Sequence, residues 1–297
     1  MGVSRAQPNS PSKGLAILPV LHSDSVRIGS ALYLNGFGGW GSVAHGFNSP
    51  GDQFAWSIDL GAAIQLVDWS NEAWLIGVTN MELTATTNSP IYFNPKGGFW
   101  EEGLLYAHRA GDGFWEAGYL HRCRHDVDNG DTNEYRGIPS ERTLIYGSLT
   151  AQYHFARQAS IDPPLPVFLP WVGIDLYLVR EDYRQPASAE SALPNFQNIL
   201  ASISTGATYR NSLLYARAAL GATAYGVDGS FFRKFSSISR VLPDVTLEVG
   251  ITGIGEMATC EAFVGYQYHG DDASHPFPTS ASFLTLGVRL RSNTMVE

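Results

Sequence analysis

Hydrophobic side chains recur at every second position of this chain over long stretches. Between Gln53 and Leu66 the even positions are Phe54, Trp56, Ile58, Leu60, Ala62, Ile64 and Leu66, while the odd ones are small or polar, Ser57, Asp59 and Gln65 among them. Period two puts the two sets on opposite faces of an extended strand. A half-buried strand of a soluble sandwich alternates in the same way, but such strands run about 5–6 residues, whereas bilayer-spanning strands need about 9–11. The length of this run favours the membrane. Similar segments lie near 25–37, 73–86, 99–109, 113–125 and 142–155, then near 167–180, 196–210, 213–227, 244–255, 260–270 and 281–291. The expected fold is all-β, an antiparallel up-and-down transmembrane barrel of about 12 strands.

The intervals between these segments alternate in length. Stretches 38–52, 87–98, 126–141, 181–195, 228–243 and 271–280 are long, and 67–72, 110–112, 211–212 and 256–259 are short, with 156–166 the exception. Barrels of the bacterial outer membrane have short periplasmic turns and longer external loops, and a soluble sandwich has no reason to sort its connections this way. Both ends of the barrel chain then fall on the periplasmic side. Residues 1–24, with Pro8, Pro11, Pro19 and the apolar Leu15–Leu21, are expected to be a periplasmic tail, 25–291 the barrel, and 292–297 a C-terminal tail. Aromatic residues fall at two heights, as interfacial girdles do: Trp40, Phe54, Trp56, Tyr92 and Trp100 near long loops, and Trp69, Trp74, Phe114, Trp115, Phe155 and Trp171 near short turns.

Composition agrees. Charged residues are 16% of the chain, below the roughly 25% of soluble domains. No apolar run approaches the ~20 residues of a membrane helix. The formal charge of −9 argues against nucleic acid as a partner, since a phosphate-binding face needs clustered Lys and Arg. The opening Met-Gly-Val-Ser-Arg has no apolar core of a secretion signal, as expected of a mature form. Location in the bacterial outer membrane, with its lipids as partners, follows from the fold rather than from an address. Cys123 and Cys260 fall near opposite ends of the expected barrel; a disulfide needs Cα atoms within ~7 Å, so both are expected to be free.

Candidate chemistry concentrates on 113–131. Trp115, Ala117 and Tyr119 mark a lipid-facing side that His121 and Cys123 continue, leaving Glu116, Arg122 and Arg124 for the lumen. The tight turn near Gly111-Asp112 sets either Glu101 or Glu102 opposite His121. A thiol, an imidazole and a carboxylate at one rim form the skeleton of a nucleophilic hydrolase site. An interfacial histidine beside a small apolar cysteine is the plain alternative. Arg27, Asp59, Asp175, Arg217, Glu248 and Arg289 also fall on lumen faces, where both signs of charge are expected to pair. Asp126, Asp128 and Asp131 around Gly130 space oxygen ligands as a calcium loop does, or form a solvated acidic tip. Zinc on His121, His125 and Asp126 is disfavoured, because alternation sends neighbours to opposite faces. The glycine-rich 36–41 reads as an external loop; no Lys-Ser/Thr follows, so it is not a phosphate loop.

His121-Arg122-Cys123, on a strand entering an acidic loop, resembles the His-x-Ser strand of outer-membrane phospholipase A, a twelve-stranded barrel family whose His and Ser face outward and whose site calcium completes. The resemblance implies His121 as base and Cys123 in place of the serine; the family's following Asn-Gly is here Arg124-His125. The segment Gly118-Tyr119-x-His121-x-x-x-His125-x-x-Asp128, with Ser140-Glu141-Arg142 and Leu18-Pro19-Val20-Leu21, is similar to a family of outer-membrane proteins of unknown function, which implies a barrel and no activity. Three roles stay open: a narrow passive channel or structural barrel with a charged lumen, a lipid-acting hydrolase with a rim His/Cys/Glu site with or without calcium, and an interaction scaffold.

Overall fold

The computed structural model describes residues 26–28, 31–47, 55–69, 72–86, 94–111, 113–126, 142–155, 167–184, 198–211, 213–226, 238–255, 258–270 and 281–292. A three-residue strand, β1 (Val26–Ile28), precedes β2 (Ala31–Phe47), β3 (Trp56–Trp69), β4 (Ala73–Thr86), β5 (Asn94–Ala110) and β6 (Gly113–Asp126). They are followed by β7 (Arg142–His154), β8 (Val167–Arg184), β9 (Asn198–Arg210), β10 (Leu214–Gly226), β11 (Ile238–Ile254), β12 (Ala258–His269) and β13 (Ala281–Ser292). Each strand from β2 to β13 pairs antiparallel with the next in sequence, and β13 pairs back onto β2. The sheet is therefore a closed barrel of 12 strands, β2–β13, with β1 paired to the start of β2. Closure leaves no open edge in the ring, which the apolar core of a bilayer demands of any spanning sheet.

The two faces differ as the alternation requires. Leu149 on β7 is 48% exposed and Leu286 on β13 is 52% exposed, and Leu60, Leu104, Ile203 and Leu220 also face outward. Inside lie charged and polar groups, Arg122 and Gln65 each 0% exposed. A barrel that is apolar outside and polar inside inverts the soluble arrangement and matches a lipid solvent. No helix among the described residues is long and apolar enough to cross a membrane.

The strand count and order follow the sequence pattern, but several bounds move. The first long strand is Ala31–Phe47, not 25–37, so Gly36–Gly41 lies within a strand rather than in a loop. A glycine on the neighbouring strand leaves room for the one large buried side chain of that stretch: a Cβ on Gly61 of β3, the ladder partner of Trp40, would lie 1.9 Å from the Trp40 ring. Trp40 consequently points inward and is buried, as are Trp74, Phe114 and Trp171, so these four do not belong to the girdles. Trp69, Trp100 and Phe155 do face outward. A bulge between Gln65 and Val67 reverses the alternation at the end of β3, burying Asp68 and exposing Trp69. β5, β8 and β11 also extend into stretches expected to be loops. The tails 1–24 and 293–297 lie outside the described residues, whereas Ser292 belongs to β13.

Candidate functional site

Two sets of side chains carry the chemistry of this barrel, one inside and one outside. The interior set begins with Arg122 on β6. Its Nε donates to Glu101 Oε2 on β5 at 2.7 Å, and Nη2 donates to Asp175 Oδ1 on β8 at 3.2 Å. Nη1 donates to the Ser148 hydroxyl on β7, and Ser202 on β9 donates to Asp175 Oδ2 at 3.3 Å. The guanidinium also lies over the Tyr177 ring, 5.8 Å from its centroid. One cation is thus held between two carboxylates across β5–β9. An isolated buried charge is very unfavourable, so the arrangement persists only because each member completes its neighbour.

A second ionic group occupies β9–β13. Arg289 on β13 donates to Glu248 on β11 at 3.2 Å and to Glu261 on β12 at 3.3 Å. Arg291 and Arg210 also reach Glu261. Tyr215 on β10 donates to Glu248 Oε2 at 2.6 Å and accepts from Arg289 at 2.9 Å. The Tyr215–Arg289 and Arg210–Glu261 contacts skip two intervening strands, so they cut across the lumen rather than follow its wall. The β2–β6 side is different: Trp40, Ala63, Trp74, Ile76, Leu105 and Leu120 form a buried apolar cluster. Beside it the Gln65 and Asn80 amides are buried without a hydrogen-bond partner among the described residues.

Of the expected lumen charges, Asp59, Glu116, Arg122, Asp175, Arg217, Glu248 and Arg289 are all buried inside. Glu116 meets His154 at 3.3 Å. The side chains of Arg27 and Arg124 lie outside the described residues. So do Asp128, Asp131 and the side chain of Asp126, which carry the calcium reading. Among the described residues no group of His, Cys, Asp and Glu is arranged to hold a metal ion.

The exterior set stands at the end of β6 away from the tight Gly111 turn. The β5–β6 register pairs Glu102 with His121 and Trp100 with Cys123, which decides between the two glutamates: Glu102 faces outward beside His121, and Glu101 turns inward to Arg122. Cys123 Sγ lies 3.2 Å from Nε2 of His125, and among the described residues His121 has no hydrogen bond to the thiol. His125 was the missed residue. The expected strand 113–125 already contains it, but His121 was the base expected beside Cys123; on β6, which runs to Asp126, 121, 123 and 125 share one face. Both cysteines are free.

No family model matches the chain, and no curated protein does. Among solved structures it is similar to the translocator domain of the autotransporter NalP from Neisseria meningitidis, at 11% identity and a TM-score of 0.32, over 86% of this chain and 88% of that one. It is also similar to a TodX deltaS2S3 mutant, a monoaromatic hydrocarbon channel, at 8% identity and a TM-score of 0.34, over 86% of this chain and 90% of that one.

Proposed function

We propose that the chain is an outer-membrane barrel serving as a narrow, low-conductance passage whose charged lumen is braced by ion pairs. The observation that carries this reading is the pair of interior ionic groups, centred on Arg122 and Arg289, which cross several strands with almost no exposure. Contacts that cut across the lumen hold its walls together and narrow the route between them. Paired charges of both signs give such a route little preference for anions over cations. The amides of Gln65 and Asn80 on the opposite wall are donors and acceptors able to hold water along it. The apolar outer face supports insertion in a bilayer, and the short turns support a periplasmic position for that end.

Reconstitution in planar bilayers tests the reading. The wild type is expected to give small, steady currents with weak ion selectivity. Arg289→Ala, which frees Glu248 and Glu261 from their shared partner, is expected to raise the conductance. Large wild-type currents unchanged by that substitution would show an open pore and overturn the proposal.

A further inference from the structure

A guanidinium keeps its charge at any pH a cell meets, so one buried in a barrel wall needs a counter-charge, from the chain or from outside it. Arg122 and Arg289 take theirs from carboxylates of the neighbouring strands. Arg217 on β10 is different. The residue faces the lumen and is 5% exposed, and its Nε and Nη1 are buried with no hydrogen-bond partner among the described residues. The carboxylate beside it in the ladder is that of Glu248. Both oxygens of Glu248 already accept from Arg289, and Oε2 accepts from Tyr215 as well. Among the described residues of this group, Arg210, Arg217, Arg289 and Arg291 stand against Glu248 and Glu261, four positive charges to two negative. The β5–β9 group has the opposite balance, Arg122 against Glu101 and Asp175.

Hydroxyl groups share the row on which Arg217 stands. The ladder runs from Thr208 on β9 through Arg217, Glu248 and Gly265 to Thr285 on β13. Thr208 and Thr285 are buried, and the Thr285 hydroxyl has no hydrogen-bond partner among the described residues. It converges with Glu248 over Gly265, where a Cβ would lie 2.6 Å from Thr285 Oγ1 and 3.3 Å from Glu248 Cγ. An uncompensated charge in a low-dielectric wall costs far more than an unmade neutral hydrogen bond. Water can satisfy the N–H groups of Arg217 but does not cancel their charge. An anion does both. We propose that Arg217 is the centre of a lumen site for a small, doubly charged oxyanion of the phosphate class. The planar guanidinium matches the spacing of two oxygens on such an ion, and this pairing is among the stronger charge-assisted hydrogen bonds. The excess of two positive charges fits a dianion, and it places the ion on the β9–β13 side of the lumen. With the ion seated the group is balanced, in keeping with the weak ion preference expected of the passage.

Full-length protein folded in detergent tests the site without any measurement of current, so a failure here leaves the conduction reading standing. Sodium phosphate is titrated against sodium chloride at constant ionic strength, and the midpoint of heat unfolding is read from gel mobility. Phosphate is expected to raise the midpoint by about 2–5 °C at a tenfold excess over its dissociation constant, and the rise should saturate. Arg217→Met should lose the rise. Arg217→Lys should keep part of it, since an ammonium retains the charge but lacks the planar fork. In chloride alone Arg217→Met should unfold no earlier than the wild type, whereas Arg122→Ala, which strips two carboxylates of their cation, should unfold much earlier. No rise, a rise that never saturates, or one that survives in Arg217→Met shows an unspecific salt effect and overturns the proposal. So does an Arg217→Met protein that unfolds as early as Arg122→Ala, because Arg217 would then serve a partner within the chain.

Discussion

Arg122 shows how little freedom a buried charge has in this lumen. Its guanidinium satisfies Glu101, Ser148 and Asp175 together, on β5, β7 and β8. Arg122→Ala would leave two carboxylates facing each other without a cation, and removing one member of a buried ion pair costs about 3–5 kcal/mol. Loss of folded protein at a lower temperature, read from heat-modifiable mobility in detergent, is the expected outcome. Arg122→Lys should recover only part of the loss, since an ammonium lacks the planar fork that serves several acceptors at once. Glu101→Gln with Asp175→Asn on the Arg122→Ala background should recover more, because it removes the uncompensated charges. At this scale the sequence was partly legible. Strand parity places Glu116, Arg122 and Asp175 inside, but nothing in parity says that Arg122 takes Glu101 and Asp175, whereas Glu116 takes His154.

Among the elements, the β5–β6 hairpin decides the most. Its turn carries Gly111 at φ 59°, in the left-handed region that a side chain disfavours. Because the turn is tight, the ladder above it has one register, and that register brings Glu102 beside His121 and Glu101 beside Arg122. Gly111→Ala should destabilise the barrel by about 1 kcal/mol, the cost of placing an alanine in that conformation. A modest drop in the urea midpoint of detergent-folded protein would report it. The added methyl itself has open space around it, so the effect is one of backbone conformation and not of packing. The first long strand was harder to read. Its Gly36–Gly41 stretch has the composition of a loop, yet it is a strand because it ladders with β3 and, from Trp40 on, with β13, while Gly61 leaves room for Trp40.

For the whole molecule, the contrast between outer and inner faces is the dominant energetic fact. Leu149 stands midway along β7 on the outer face. Arginine on a lipid face at mid-bilayer costs about 2–4 kcal/mol, so Leu149→Arg should lower the yield of folded barrel in liposomes and shift the folding equilibrium by that amount. The same change in detergent should matter less, because a micelle lets the guanidinium reach water. Equal effects in both media would mean that the β7 outer face does not meet lipid.

What the sequence by itself determined was the architecture: the number and order of the long strands, the alternation of faces along a strand between bulges, and the separation of the two cysteines. These depend on period two and on short turns, both local properties that a single strand or hairpin imposes. Only the tertiary structure decided how the interior charges are matched. Closing β13 onto β2 curves the sheet until Arg289 meets Tyr215 and Arg210 meets Glu261 across two intervening strands, distances that no local periodicity encodes. Closure also turns Trp40 and Trp74 into one buried cluster with Leu105 and Leu120, because inward side chains on a curved wall converge while outward ones spread apart.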